Sequence, residues 1–429
     1  MEESLPLVVL LVCLILGIPI AFSLAGAGIL GIWLFTGSWE SVIGQVGTTL
    51  FTTASEYLLT TIPMFILMAY LSSSSGLARD LFTGLSNWLS HLRGGLAIAT
   101  VFSCGIFGAM SGASVAAASV MANVAMPNMR RLGYSEELAA GAIGVGATLD
   151  ILIPPSVGMV IYGIATETSV GKLLIAGIIP GIILGILLSL AIVIWVTLSP
   201  SHAPQTQRVS WAERWSGLVP IWPTLVLIIC VLGLLYSGIA TPTEVGAVGA
   251  FMAAVIGIAL KRLDWAGIME ALRLTIRVTA MIFIIIAGAK LFGYFMTLSQ
   301  VPQGLLTTVM EMQLNRWVVI AGIVIGYFVI SMFMDELPLL LITLSLTFPL
   351  VTSLGFDAVW FGVLTCLMVA MGLVFPPVGM IAFVVSATAN VPLTKVYKGT
   401  SILVIALVAT TILLCFFPQI ALWLPSRMK

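Results

Sequence analysis

Apolar residues in this chain come in long unbroken runs rather than in alternation. The runs lie near 5–36, 58–71, 95–129, 138–166, 173–198, 217–237, 243–260, 278–298, 317–352, 358–388 and 400–424. About 20 such residues cross a hydrocarbon core of ~30 Å. Lipid gives backbone groups no water partner, so spanning segments are helices or a closed barrel, and continuous hydrophobicity selects helices. The expected fold class is therefore an all-α polytopic membrane protein. The run 5–36 is long enough for two short spans bent at Gly17-Ile18-Pro19. The runs 95–129 and 317–352 are too long for one span, and each carries small or polar residues at its middle: SGAS at 111–114 and MDEL at 334–337. A re-entrant helical hairpin, entering the membrane and returning to the same side, explains both the length and the polar centre.

Basic residues in the short connections set the orientation. Arg79, Arg93, Arg130 and Arg131 flank the first long run, Arg208 and Arg214 share one later loop, Lys261, Arg262, Arg273 and Arg277 cluster around another, and Lys395 and Lys398 mark a third. The intervening loops, 238–242 and 299–316, are nearly free of them. The first hairpin thus opens on the cytoplasmic side. Five crossings follow before the second, an odd number, which places the second hairpin on the opposite side.

A repeat carries the same message. Pro127, Gly133, Pro154 and Pro155 recur as Pro349, Gly355, Pro376 and Pro377 at an offset of 222, and ILIPPSVGM (151–159) matches LVFPPVGM (373–380) after one deletion. Proline in a helix interior removes a hydrogen bond and clashes with the preceding turn, so two broken transmembrane helices are expected, one in each inverted repeat. Inverted repeats with broken helices point to the binding site of a secondary transporter.

The chemistry available at these places is specific. Ser111-Gly112-Ala113-Ser114 offers two hydroxyls and close backbone approach, although small residues also serve helix packing in membranes. At the same offset Ala113 and Ser114 fall on Asp335 and Glu336, so only the second tip is acidic. These acids are functional candidates by their depth, or caps of a helix start. Asp150 stands four residues before Pro154, opposite Gly372 in the other repeat. Three roles are open to it: cation ligand, titrating group, or acceptor for a nearby backbone donor. Ser156 and Thr166, with Thr388 and Asn390 in the second half, are candidates to line the cavity. Lys290 lies within a span and either snorkels or answers an acid; Glu56 and Glu244 stand near span edges, where solvation is the simpler reading.

Composition narrows the function classes. Of 429 residues 60% are hydrophobic and 8% charged, against roughly a quarter charged in soluble domains. A formal net charge of zero supplies no basic surface for nucleic acid. Cys13, Cys104, Cys230, Cys366 and Cys415 sit in apolar runs without CxxC pairing and read as small buried hydrophobes. The start MEESLPLVVLLVCLILG lacks the positive segment of a signal peptide and is expected to remain as a span. No HExxH, GxSxG or Walker loop is present, so no enzyme and no ATP-driven step is expected.

The paired motifs resemble a known family. SGASVAAASVMANVAMPNMRRLGYSEELAAGAIGVGATLDILIPPS and MDELPLLLITLSLTFPLVTSLGFDAVWFGVLTCLMVAMGLVFPPVGM are similar to the first- and second-half signatures of the large membrane subunit of TRAP (tripartite ATP-independent periplasmic) transporters, and LGIPIAFSLAGAGILG looks like that family's first spans. The resemblance covers essentially the whole chain. It implies an elevator-type transporter in a bacterial inner membrane, with Na+ as the coupling ion and no other cofactor. Sodium-coupled uptake of an organic acid, sialic acid or a C4-dicarboxylate in class, follows from it. So do two partners, a small four-helix membrane subunit and a periplasmic substrate-binding protein. By position, one sodium site would use Ser111, Gly112 and Ser114 with Gly146, Asp150 and Pro154. The other would use Met334 and Asp335 with Gly372 and Pro376, leaving Glu336, Ser156, Thr166, Thr388 and Asn390 for the substrate cavity. Two departures stand out: many relatives have serine at Ala113, and glycine is usual at Asp150. The absence of an intramembrane arginine favours a monocarboxylate such as sialic acid over a dicarboxylate. A stand-alone sodium/carboxylate symporter of related fold is the alternative. The expected division is 1–94 for N-terminal scaffold and arm helices, 95–198 for the first repeat's hairpin and broken helix, 199–298 for further scaffold spans, 299–399 for the second repeat, and 400–429 for a C-terminal span.

Overall fold

The computed structural model describes residues 4–112, 114–204 and 210–427; Ala113 and Arg208 lie outside the described residues, as does the Ser111 side chain. All regular elements among the described residues are helical. Seven helical segments are long and apolar enough to cross a membrane: Tyr57–Ser74, Val170–Leu198, Glu213–Ser237, Pro242–Ala259, Trp265–Ser299, Glu336–Ser353 and Leu393–Phe416.

The run 5–36 forms two helices, Ser4–Ile15 and Ile20–Thr36, broken at Gly17 (φ 75°) and the following Pro19. The run 95–129 forms a hairpin of Gly95–Ser111 and Ser114–Arg131, and 317–352 forms one of Arg316–Ser331 and Glu336–Ser353. Their second arms coincide end for end at the offset of 222. After each hairpin comes an interrupted helix: Glu136–Ala147 followed by Val157–Thr166, and Ala358–Gly372 followed by Met380–Ala389. The segments beyond the breaks are 10 residues each, about 15 Å of helix, or half a hydrocarbon core.

Four helices have no counterpart among the apolar runs: Trp39–Ser55, Leu77–Leu89, Trp211–Leu218 and Val301–Glu311. Leu77–Leu89 shows why. It buries Leu77, Ala78, Leu81, Phe82 and Gly84 at helical spacing while Arg79 and Asp80 lie outside that set, so its apolar stripe never becomes a continuous run.

Packing divides the chain into two groups. Ile20–Thr36, Thr61–Ser74, Pro242–Ala259 and Trp265–Ser299 pack on one another, while the hairpins and broken helices gather with Ile178–Leu198 and Leu393–Phe416. Each hairpin's second arm packs on the other repeat's post-break helix: Ser114–Arg131 on Met380–Ala389, and Glu336–Ser353 on Val157–Thr166.

Residues that charge counting places on one side do meet. Lys395 Nζ and Arg130 Nη2 each lie 2.9 Å from Glu136, Lys398 Nζ lies 3.0 Å from Glu137, and Arg262 pairs with Asp80. At the opposite end the Thr61 and Thr243 hydroxyls are 2.6 Å apart. Tyr162 Oη donates to the Ala358 carbonyl at 2.7 Å, tying the end of one broken helix to the start of the other. The two broken helices therefore run antiparallel.

Candidate functional site

In the first repeat the hairpin tip lies against the break of its own helix. Gly112, in left-handed backbone (φ 61°), is close enough that a Cβ would stand 2.8 Å from Val157 Cγ2. Ser114 opens the second arm and donates a 2.5 Å hydrogen bond to Asp150 Oδ1. Both are buried, Asp150 to 1% exposure, and Asp150 Oδ2 has no hydrogen-bond partner among the described residues. Asp150 fits there because Gly108 faces it: a Cβ on Gly108 would fall 2.3 Å from Asp150 Cβ. Gly146, one turn earlier, takes the backbone of Val101 in the same way. Of the roles open to Asp150, acceptor is the one observed, from the Ser114 hydroxyl and from the backbone of Ile151.

The second repeat solves the same contact in reverse. Gly372 is the glycine here, and the hairpin supplies the side chain: a Cβ on Gly372 would lie 1.8 Å from Ser331 Oγ. Ser331 in turn donates to the carbonyls of Phe328 (2.9 Å) and Met368 (3.3 Å). The Gly379 amide donates to the Met332 carbonyl at 3.0 Å, docking tip on break. Asp335 is the N-cap of the second arm, its Oδ1 accepting from the Glu336 amide at 2.9 Å. The capping reading of Asp335 is thus realised in the fold.

Backbone carbonyls released by the second break are partly claimed. Thr400 donates to Val374 O at 2.8 Å, and Tyr397 Oη lies 2.8 Å from Pro377 O and 2.7 Å from Val378 O. Both donors belong to Leu393–Phe416. Neither was singled out in the sequence, because an ordinary-looking helix gives no sign that it services a break elsewhere. No hydrogen bond to the carbonyl of Pro154 or Pro376 is found among the described residues.

Glu336 joins the repeats. It is 8% exposed and its Oε1 lies against Gly158, where a Cβ would come within 1.6 Å. That oxygen has no hydrogen-bond partner among the described residues, and the carboxylate faces the charges of Asp150 and Asp335. Gly158, Gly108 and Ser331 are further site residues that the sequence does not point out. The repeated VGM at 157–159 and 378–380 was the available signal for Gly158; Gly108 had none.

Two cavities flank this contact. One, of about 440 Å³, is bounded by Gly112, Ser114 and Ser119 of the first hairpin, Asp335 and Glu336, Met380 beyond the second break, and Tyr70 and Met281 of the scaffold helices. The other, of about 910 Å³, is bounded by Ile161 and Ile164 beyond the first break, Leu341 and Ser345 of the second hairpin, and Lys290 and Thr297 of the long helix Trp265–Ser299. The two are pseudo-symmetric, each built from one repeat's hairpin and the other's post-break helix, and the tips divide them. Glu56, Glu167 and Lys290 share the larger cavity. Glu244 instead completes a capping box with Thr241.

The remaining expected residues are dispersed. Ser156 is buried and caps Val157–Thr166 by accepting from the Met159 amide at 3.3 Å. Thr166 donates to Tyr162 O at 2.7 Å, at the far end of that helix. Thr388 is half-buried in the last turn of its helix. Asn390 follows that helix, its carbonyl accepting from Arg130 at 3.1 Å. Neither cavity described above is lined by Ser156, Thr166, Thr388 or Asn390, although Ala165 and Glu167 on either side of Thr166 line the larger one.

Paired hairpins and broken helices, packed crosswise around two cavities in an apolar helical body, define a multi-pass membrane permease built on internal repeats. The chain belongs to the family described as "Tripartite ATP-independent periplasmic transporter, DctM component", whose profile it matches over residues 7–420. It is 35% identical over 407 residues to the large permease protein of a C4-dicarboxylate TRAP transporter from Pseudomonas aeruginosa, covering 94% of each chain. It is 33% identical over 416 residues to the corresponding protein of an ectoine TRAP transporter from Halomonas elongata, covering 96% of each. The large permease protein of a sialic acid TRAP transporter from Vibrio cholerae is 28% identical over 411 residues, covering 96% of this chain and 95% of that one. The fold is similar to the crystal structure of the YdaH transporter from Alcanivorax borkumensis, with a TM-score of 0.65 over 90% of each chain at 15% identity.

Proposed function

We propose that this chain is the membrane-spanning large subunit of a sodium-coupled TRAP transporter in a bacterial inner membrane. It takes up a small organic acid handed over by a periplasmic binding protein and works beside a small four-helix membrane subunit. The observation that carries this reading is the Glu336–Gly158 contact, where the two repeats meet between two cavities. A pathway that opens alternately to either side needs such a division near its middle. The named relatives take C4-dicarboxylates, ectoine and sialic acid, all small organic acids.

In this reading both hairpins are re-entrant and move with the broken helices, as an elevator, against the helices around Trp265–Ser299. One sodium ion is held by Ser111, Gly112, Ser114 and Asp150 with backbone between Gly146 and Pro154. A second is held by Met334 and Asp335 with backbone between Gly372 and Pro376. The unpartnered Asp150 Oδ2 supports the first site, since a buried carboxylate oxygen is costly without a partner. Each sodium ion entering gains about 2.3 kcal/mol per 100 mV of membrane potential, before its concentration gradient.

Proteoliposomes holding this chain, the small subunit and the binding protein are expected to accumulate substrate on a sodium gradient, and omission of either partner is expected to stop uptake. Uptake by this chain alone refutes the three-part reading in favour of a stand-alone symporter. Asp335→Ala is expected to abolish sodium-dependent uptake in an assembled complex, with about 0.5–2 kcal/mol lost from the missing cap.

A further inference from the structure

The smaller cavity is chemically one-sided. Its titratable wall residues are Asp335, Glu336 and Tyr70; no Lys, Arg or His lines it among the described residues, and the neighbouring Ser111 and Ala113 bring no charge. Glu336 is more than nine-tenths buried, belongs to the cavity wall, and has an oxygen with no hydrogen-bond partner among the described residues. It also lies within electrostatic reach of Asp150 and of Asp335, which precedes it in the same wall. An unpaired buried carboxylate near two others is unfavourable, and a cation that enters the cavity relieves it. Tyr70 and Phe107 add aromatic faces to the same wall, which favour cations as well.

Two cations are available, the coupling ion and a charged group on the substrate, and size assigns them. Asp150 is enclosed by Gly108 and Ser114 and does not line the cavity, so it is matched to a bare ion. Glu336 borders about 440 Å³ of space, room for a small organic molecule. We propose that the transported substrate is a zwitterion, a carboxylate or sulfonate that also carries a positively charged nitrogen, and that Glu336 is the counter-ion for that nitrogen. The inference rests on the transporter reading above and sets the charge of its substrate. A dicarboxylate meets only like charge on this wall.

The test is sodium-driven accumulation in proteoliposomes containing the large subunit, its small subunit and its binding protein. The labelled probes are succinate and glucuronate as anions, glycine betaine and taurine as zwitterions, and the compound that co-purifies with the binding protein, identified by mass spectrometry. The expected result is accumulation only of compounds bearing a positively charged nitrogen. Glu336→Gln should lower it at least ten-fold, with the half-saturating sodium concentration unchanged within two-fold. Glu336→Asp, which keeps the charge, should retain a measurable part. Accumulation of succinate or glucuronate overturns the inference while leaving the transporter reading intact. So does a Glu336→Gln complex that keeps its uptake but shifts its sodium dependence. No accumulation of any of the five compounds overturns both.

Discussion

Ser114 and Asp150 are joined by a 2.5 Å hydrogen bond that ties the first hairpin tip to the helix it lies against. Asp150 also packs on Gly108 of the first arm, and the second repeat makes that packing with the side chain and the glycine exchanged, Ser331 on the hairpin against Gly372 on the helix. One contact geometry is thus filled in two complementary ways, and Asp150 is accommodated because Gly108 leaves it room.

That exchange is directly testable. Gly108→Ser alone puts new atoms into Asp150, and overpacking of this kind costs about 1–3 kcal/mol. Asp150→Gly alone leaves a void and strands the Ser114 hydroxyl. The double variant Gly108→Ser/Asp150→Gly rebuilds the second repeat's arrangement in the first. It is expected to be more stable than the sum of the single effects by about 1 kcal/mol or more, measured by thermal unfolding of the purified protein. Strict additivity would show that the two positions do not share one space.

Gly158→Ala tests the contact between repeats. The new methyl group takes the place of Glu336 Oε1, and a flexible carboxylate can swing away, so the fold is expected to survive with a melting temperature within a few degrees. Uptake is expected to fall at least ten-fold. A variant that transports normally would remove Glu336–Gly158 from the pathway.

How much of this was legible in the sequence follows from which signals are local. The hairpins, the breaks and their pairing were readable because proline chemistry and run length act within a few residues, and because Pro154-Pro155 recurs at Pro376-Pro377. The tip acids Asp335 and Glu336 were readable as misfits in an apolar run. The cap formed by Asp335 is local and was among the readings open to it, whereas the reach of Glu336 to Gly158 depends on a neighbour 178 positions away. Asp150 was visible as an anomaly, but its explanation, Gly108, is one glycine among 41. Thr166, Thr388 and Asn390 stand out only as polar residues after a break, and the rise of the helix takes them away from the tips.

Glu136 offers a pH test outside the apolar runs. Its hydrogen bond from Lys395 lowers its pKa, partial burial opposes this, and Arg130 adds to the lowering. A depressed carboxylate contributes stability that is present above its unfolded value of about 4.3 and lost as pH falls through the folded value. Thermal stability is therefore expected to be insensitive to this group from pH 6 to 8 and to drop below about pH 4. Glu136→Gln should remove that part of the drop, with each exposed pair worth about 0.2–1 kcal/mol. An unchanged acid limb in the variant would assign the drop to other carboxylates.

The most direct measurement is the sidedness of the two cavities. In a chain whose five cysteines are replaced, Ser345→Cys marks the larger cavity and Ser119→Cys the smaller. A membrane-impermeant maleimide is applied to intact spheroplasts and, separately, to inside-out vesicles. If the cavities are the two mouths of one pathway divided at Glu336 and Gly158, Cys at 345 reacts from the periplasmic face and Cys at 119 from the cytoplasmic face. Labelling of both positions from the same face would contradict an inverted-repeat pathway with alternating access.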